Sequence, residues 1–151
     1  MKHFSNIFKS VLFLSLVVAM ASCGGSDDPG PGEDTTLADA LAGLIKGQAN
    51  FNSVVKPTGA TDLDWSAMTI QFSGTVDGGT YATTNSADAT VWPASGTWVF
   101  TDATGTKVTR DDGVVVTIRV GTQLETEFTI PEPGGRTKVV SGGWLFTYDY
   151  Q

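Results

Sequence analysis

The chain has 151 residues, with 16 acidic and nine basic residues and a formal net charge of −7. It contains one cysteine, Cys23, and one histidine, His3. An acidic surface repels phosphate backbones, so nucleic acid is not an expected partner. A lone thiol forms no intramolecular disulfide, so burial and backbone pairing must hold the fold together.

The first residues have the order of a secretory signal peptide: basic Lys2 and Lys9, an apolar run over residues 11–21, and a small residue at Ser22. That apolar run is shorter than the roughly 20 residues that cross a bilayer as a helix. His3 lies in this leader, so the mature chain lacks the histidine that serine and cysteine triads and histidine-ligated zinc require. We therefore expect a non-enzymatic protein with no metal and no cofactor.

The segment Met20-Ala21-Ser22-Cys23 resembles the lipobox of bacterial lipoproteins, in which the cysteine is diacylated and becomes the mature N-terminus. The alternative is an ordinary secretory signal in which Cys23 is incidental. The resemblance implies a signal peptide over residues 1–22 and a lipidated Cys23, whose acyl chains would anchor the protein to a membrane.

Residues 23–35 form a predicted flexible acidic tether, because the Gly, Ser, Asp and Pro residues after Cys23 offer nothing to bury. Asp27-Asp28 looks like the tethers of Bacteroidota lipoproteins that reach the outer face of the outer membrane. This resemblance implies a lipid-anchored protein on the cell surface. A plain spacer on a protein that faces the periplasm is the alternative.

A short helix is predicted behind the tether. Apolar residues recur at helical spacing from Leu37 to Ile45, behind the pair Thr35-Thr36. One of these threonines is the expected N-cap, with Asp39 as its capping partner. Gly47 follows the last periodic residue and is the expected C-cap.

Beyond Gly47 the sequence favours an all-β fold. Runs rich in Val, Ile, Thr and aromatic residues alternate with Gly, Pro, Asn and Asp clusters. Trp144, Phe146 and Tyr148 alternate with more polar residues, which indicates one dry and one wet face. We expect one short N-terminal helix and an antiparallel meander that closes into a barrel or rolled sandwich of about eight strands. The predicted strands are residues 50–56, 67–74, 80–84, 96–102, 107–111, 114–120, 123–130 and 136–150.

The segments 68–72, 79–84 and 92–100 in succession resemble the lipocalin-like domains of Bacteroidota lipoproteins. Residues 110–114 and 142–146 fit the later part of that pattern. The likeness covers most of residues 37–150 and implies a lipocalin-like β domain over residues 36–151. It implies architecture and location more than a particular activity.

Five aromatic residues are candidates for ligand binding. Trp98 and Trp144 should point inward with Phe100 and Phe146, either as core or at a barrel mouth that admits a small hydrophobic ligand. Trp65 and Trp92 lie in predicted loops beside carboxylates. There they could stack on a glycan, or cover one end of the barrel. Tyr81 completes the set.

The charged residues give weaker signals. Four aspartates could suggest a calcium site, and they are Asp102, Asp111, Asp112 and Asp149. The spacing of an EF-hand loop is absent, so hairpin turns account better for the presence of these aspartates. Glycoside hydrolysis could use Glu125, Glu127 and Glu132, although the first two alternate onto a solvated face. Arg110 and Arg119 are expected on the wet surface, paired with acids.

The leading expectation is a displayed binding domain. The alternatives are a carrier of a hydrophobic ligand, a glycan-binding accessory protein and, last, a carboxylate hydrolase.

Overall fold

The computed structural model describes residues 36–60, 62–131 and 141–151. The predicted leader, Cys23 and the tether lie outside these residues. So do Glu132 and the first part of the predicted last strand, residues 136–140.

Helix α1 spans Leu37–Leu44 and begins as predicted. The Thr36 hydroxyl accepts a hydrogen bond from the Asp39 N–H at 3.2 Å, and the Asp39 carboxylate accepts one from the Thr36 N–H at 3.3 Å. The prediction of Gly47 as C-cap is wrong. Ile45 is the C-cap, because the Ile45 and Lys46 N–H groups already take the carbonyls of Leu41 and Gly43 before the chain enters the first strand. No helix in the described residues is long and apolar enough to cross a bilayer.

Eight antiparallel strands close into a barrel in chain order, so the predicted all-β barrel class is confirmed. Each strand pairs with its sequence neighbours, and the last pairs with the first. The strands are β1 Gln48–Val55, β2 Thr69–Thr75, β3 Gly78–Thr84, β4 Ser95–Phe100, β5 Lys107–Arg110, β6 Val115–Val120, β7 Gln123–Ile130 and β8 Gly142–Tyr150.

The barrel follows from the period-2 pattern of its strands. Trp144, Phe146 and Tyr148 of β8 are fully buried, while their neighbours on the other face are partly exposed. The predicted inward faces of β2 and β7 are likewise buried, as Phe72 and Phe128 show. Every second side chain therefore enters one continuous core.

The turn between β2 and β3 is a two-residue hairpin at Val76 and Asp77. Gly78, which follows it, has a φ of 127°, which side-chain-bearing residues rarely adopt. At Gly79 a Cβ would lie only 1.9 Å from the Ser73 carbonyl oxygen. Gly78 and Gly79 at the start of β3 thus allow the two strands to approach closely.

The two ends of the barrel differ. At one, called here the helix end, α1 packs on β6, and the Tyr150 hydroxyl donates to the Gly43 carbonyl at 2.8 Å. At the other, the loop end, lie the segments 56–68 and 85–94 and the turn at residues 111–114. The chain enters the domain at the helix end, through Thr36.

Candidate functional site

Trp92 fills the barrel interior. It lies in the β3–β4 connection, yet its side chain is fully buried. Its ring meets Tyr81 of β3 at 5.7 Å between centroids, Phe128 of β7 at 5.2 Å and Phe146 of β8 at 6.4 Å. These contacts cross the barrel from one wall to the other. A ligand in this part of the interior would have to displace the Trp92 ring.

Trp65 lies in the β1–β2 connection and covers the loop end of the barrel. It is buried, with its ring centroid 5.0 Å from that of Phe146 and 5.8 Å from that of Trp144. The pKa of the Asp64 carboxyl beside it is lowered by hydrogen bonding from the Ser66 side chain and then from the Ser66 N–H, which Asp64 accepts at 3.0 Å. Asp62 pairs with Lys56. Trp65 therefore presents no exposed ring on which a sugar could stack.

The other three aromatic candidates also lie in the core. Trp98 is buried, and its Nε1 donates to the Thr80 carbonyl at 3.1 Å. Tyr81 and Trp144 are buried as well. Of the five candidates, the structure brings Trp92 into contact with Tyr81 and Trp65 into contact with Trp144, within one aromatic cluster and without an exposed platform.

Arg110 corrects a prediction, because it lies inside the barrel and not on the wet surface. Its side chain is 1% exposed, and its guanidinium carbon lies 5.0 Å from the Trp92 ring centroid and 5.5 Å from that of Phe128. Nη1 donates to the Val91 carbonyl at 2.8 Å, Nε donates to Asp112 Oδ1 at 3.1 Å, and Nη2 also bonds Asp112. The buried charge is thus paired and hydrogen-bonded, as burial requires.

Several other buried polar atoms lie in the aromatic core. Within the described residues five of them have no hydrogen bond of ordinary geometry, and they are Trp65 Nε1, Trp92 Nε1, Thr126 Oγ1 and the hydroxyls of Tyr81 and Tyr148. The side chains of Thr126 and Trp92 nevertheless lie close enough to the Tyr148 phenol for hydrogen bonding to lower its pKa, against the larger effect of burial. Burial raises the pKa of both tyrosines, and the positive charge of Arg110 opposes that rise in both. The aromatic core therefore contains a polar centre.

The aspartates considered for calcium are engaged separately. Asp102 accepts the N–H groups of Thr106 and Lys107 at 2.9 and 3.2 Å, and Asp112 binds Arg110. Asp149 accepts from side-chain amides of β1 and β7 at 2.7 Å, which lowers its pKa. No group of three or more potential metal ligands occurs among the residues the structure describes.

A groove of about 640 Å³ lies on the outer wall of the barrel, across β6, β7, β8 and the end of β1. The strand register places Val55, Leu145, Glu127 and Thr117 side by side across this wall. The remaining lining residues are Val115, Arg119, Phe128, Thr129, Gly143 and Trp144. We call this feature the outer groove.

The outer groove combines an apolar floor with a polar side. Val55 and Val115 are unusually exposed for valines, at 64% and 49%. On the polar side Arg119 donates to Glu127 at 2.9 Å and lies 3.6 Å from Glu125, which agrees with the predicted surface pairing of Arg119. No atom of the described residues lies within 4 Å of the point where a Gly143 Cβ would stand, so these residues leave open space in the groove at this glycine.

The outer groove and the polar centre do not follow from the five aromatic candidates. The alternation of β5 does signal the buried Arg110, because Val108 and Arg110 share one face of the strand. The groove depends on which outward residues of four strands become neighbours, and this requires the register.

Comparisons with protein-family models, curated proteins and solved structures gave no match for this chain. The class that the coordinates define is a closed eight-stranded antiparallel barrel with a helix at one end.

Proposed function

We propose that this chain is a non-enzymatic lipoprotein of the cell envelope, anchored through Cys23, whose β domain binds a small amphipathic molecule in the outer groove. The main observation in support of this binding site is the presence of the outer groove. Its volume falls within the roughly 300–1,000 Å³ typical of small-molecule sites.

The lining favours an amphipathic ligand. Val55, Val115 and Leu145 offer apolar contact to the body of such a molecule. Thr117 and Thr129 add hydroxyl groups that both donate and accept hydrogen bonds. Arg119 and Glu127 add a paired cation and anion on the same wall. A ligand with an apolar body and one polar group matches this distribution.

Binding of a hydrophobic ligand inside the barrel is less well supported than binding in the outer groove. A hydrophobic cargo inside the barrel would have to break the ring contacts of Trp92 with Tyr81 and Phe128. The hydrolase hypothesis is weaker still, because Glu125 and Glu127 lie on the outer wall and are paired with Arg119.

The anchor is tested by labelling cells that express the full chain with an alkyne-bearing fatty acid. The wild type should incorporate the label and partition with membranes, and Cys23→Ser should lose both properties. An unlabelled wild-type chain in the medium would refute the anchor while leaving the binding site open to its own test.

The groove is tested by titration with N-phenyl-1-naphthylamine, a fluorescent probe that has an apolar body and one polar amine group. Gly143→Val adds a β-branched side chain at a point with no atom of the described residues within 4 Å, so it should fill the groove without disturbing the barrel. We expect its affinity to fall by about ten-fold or more, which corresponds to roughly 1.4 kcal/mol.

The matched controls are two valine-to-threonine changes. Val99 is exposed to 47%, close to the 49% of Val115, but lies on β4 outside the groove. Val115→Thr should weaken binding of the probe, and Val99→Thr should leave it unchanged. Equal affinities in the wild type, Gly143→Val and Val115→Thr would show that the probe binds elsewhere and would remove the groove as the site.

A further inference from the structure

We propose that the connection between β3 and β4, residues 85–94, is a plug that the ion pair between Arg110 and Asp112 holds inside the barrel. When Asp112 loses its negative charge, the plug leaves the interior while the strands stay paired. The plug carries Val91 and Trp92, both 0% exposed, into the core. Its release changes which aromatic surface the domain presents to solvent, and this property is separate from binding in the outer groove.

Side chains of the barrel hold the main chain of the plug in place. Arg110 Nη1 donates to the Val91 carbonyl at 2.8 Å, and Thr83 Oγ1 donates to the Pro93 carbonyl at 2.9 Å. The N–H groups of Val91 and Trp92 bond a carbonyl of the plug itself. These bonds are not part of the strand pairings that close the barrel. The plug can therefore open as a local unit without breaking those pairings.

Arg110 is a buried cation that depends on one carboxylate. Its side chain is 1% exposed, and Asp112, whose side chain is 38% exposed, is its ion-pair partner among the described residues. Tyr81 of β3 and Tyr148 of β8 also sense the charge of Arg110, but burial raises the pKa of both phenols and keeps them neutral. Asp111 is the second carboxylate of this turn, and its charge acts on Tyr81.

A neutral Asp112 leaves the charge of Arg110 uncompensated inside an aromatic core. Removal of one partner of a buried ion pair is strongly destabilising, because the remaining charge stays away from water. Arg110 is the last residue of β5, at the loop end, so its side chain regains water by leaving the interior there. That movement withdraws Nη1 from the Val91 carbonyl and the guanidinium from the Trp92 ring, 5.0 Å away. The inner part of the plug thus loses both contacts in one step.

Acid supplies the trigger. The Asp112 side chain is partly exposed, so protons reach it from solvent. Burial raises its pKa, but hydrogen bonds from Arg110 and Val114 hold the pKa below its ordinary value. The plug is therefore closed at neutral pH. It opens only as the pH falls below about 3.9, the pKa of a free aspartate, and through the lower pKa of the folded state.

Hydrogen–deuterium exchange of the full chain at pH 7, followed by mass spectrometry, tests the role of the pair. Asp112→Asn removes the charge and keeps the shape of the side chain. Residues 85–94 should then exchange faster than in the wild type by about ten-fold or more, while β7 and β8 remain protected. Asp111→Asn is the matched control. It removes the neighbouring carboxylate and should leave the exchange of residues 85–94 unchanged.

A double variant separates the uncompensated charge from the lost hydrogen bonds. Arg110→Met together with Asp112→Asn removes both charges and leaves an unbranched apolar side chain that packs well on aromatic rings. Replacement of a buried ion pair by apolar groups is often neutral or stabilising. Residues 85–94 should therefore exchange more slowly in the double variant than in Asp112→Asn alone.

Acrylamide quenching of tryptophan fluorescence tests the acid response, and it does so even if Asp112→Asn does not fold. In the wild type, quenching should rise between about pH 4 and pH 2 before the circular dichroism signal of the strands falls. The double variant should lack this early rise. Three results would overturn the proposal. They are unchanged exchange of residues 85–94 in folded Asp112→Asn, an equal loss of protection in these residues and in β7 and β8 of that variant, and an early rise in quenching that persists in the double variant.

Discussion

Replacing Trp92 with alanine tests whether the barrel interior is packed around this side chain. If Trp92 is part of the core, Trp92→Ala leaves a large cavity bounded by Tyr81, Phe128 and Phe146. If Trp92 is a movable cover over a ligand chamber, the same change should cost little. The two interpretations therefore differ in the free energy of unfolding.

The structure sets the expected magnitude. Trp92 is 0% exposed, and truncation of a fully buried tryptophan costs about 3–5 kcal/mol. The loss of the contact between Arg110 and the indole adds about 0.5–2 kcal/mol. A domain of this size is stable by about 5–15 kcal/mol, so Trp92→Ala should remain folded but close to its limit.

Urea denaturation followed by circular dichroism measures this change. With a urea m-value of about 1–3 kcal/mol/M, a loss of about 4 kcal/mol lowers the midpoint by roughly 1.3–4 M. Val99→Ala, at an exposed position of β4, should stay within about 0.5 kcal/mol of the wild type. Indole should partly restore the variant by binding the cavity. A loss below about 1 kcal/mol for Trp92→Ala would refute the packed interior.

Three further predictions concern the barrel. Thr36→Ala removes the N-cap of α1 and should lower the unfolding free energy by about 1 kcal/mol, while Thr36→Ser should retain most of it. Gly79→Ala, which meets the Ser73 carbonyl, should cost about 1–3 kcal/mol in the same urea assay, whereas Gly121→Ala, with open space around it, should be tolerated. Burial raises the pKa of Asp112, but hydrogen bonds from Arg110 and Val114 hold it below its ordinary value. The ionised Asp112 therefore stabilises the folded protein above pH ~3.9, the pKa of a free aspartate. This stabilisation is lost as the pH falls through the lower pKa of the folded state. Urea midpoints measured from pH 2 to pH 6 should fall less steeply in Asp112→Asn; an unchanged slope would contradict the assignment.

The strands and the dry faces were predictable because a closed antiparallel barrel imposes a local rule on the sequence. In β8 the large aromatic residues Trp144, Phe146 and Tyr148 alternate with residues of the wet face, and the alternation continues to the end of the strand. The predicted range for β7 agrees with the structure at both ends. The fold class follows from such patterns without knowledge of any long-range contact.

The same alternation is less decisive where a charged residue stands on the inner face. Pairing with nearby acids predicts Arg110 on the wet surface, although its spacing from Val108 places both residues on the inner face of β5. Arg110 is stabilised inside the barrel by hydrogen-bond and ring contacts that the local sequence pattern does not reveal. The Val91 carbonyl comes from a distant connection, and the aromatic rings that face the guanidinium come from that connection and from β7.

The outer groove was beyond sequence reasoning for a different physical reason. Its lining residues belong to four strands, and their adjacency depends on register: Val55 meets Leu145 only because a bulge near residue 52 shifts the pairing of β1 with β8. A single residue of slip would turn each strand's outward set inward. Sequence alternation shows that these side chains face outward but not which of them are neighbours.

The packing of the interior and the position of the proposed binding site are connected. Trp65 and Trp92 come from two connections of the loop end and enter the barrel, where they occupy the place in which a barrel protein could hold a ligand. Large aromatic side chains and a paired arginine stabilise a domain that has no disulfide, and the aromatic residues of this core present no exposed binding surface. The binding site proposed above therefore lies on the outer wall, where the described residues leave open space at Gly143 and the valines Val55 and Val115 are exposed.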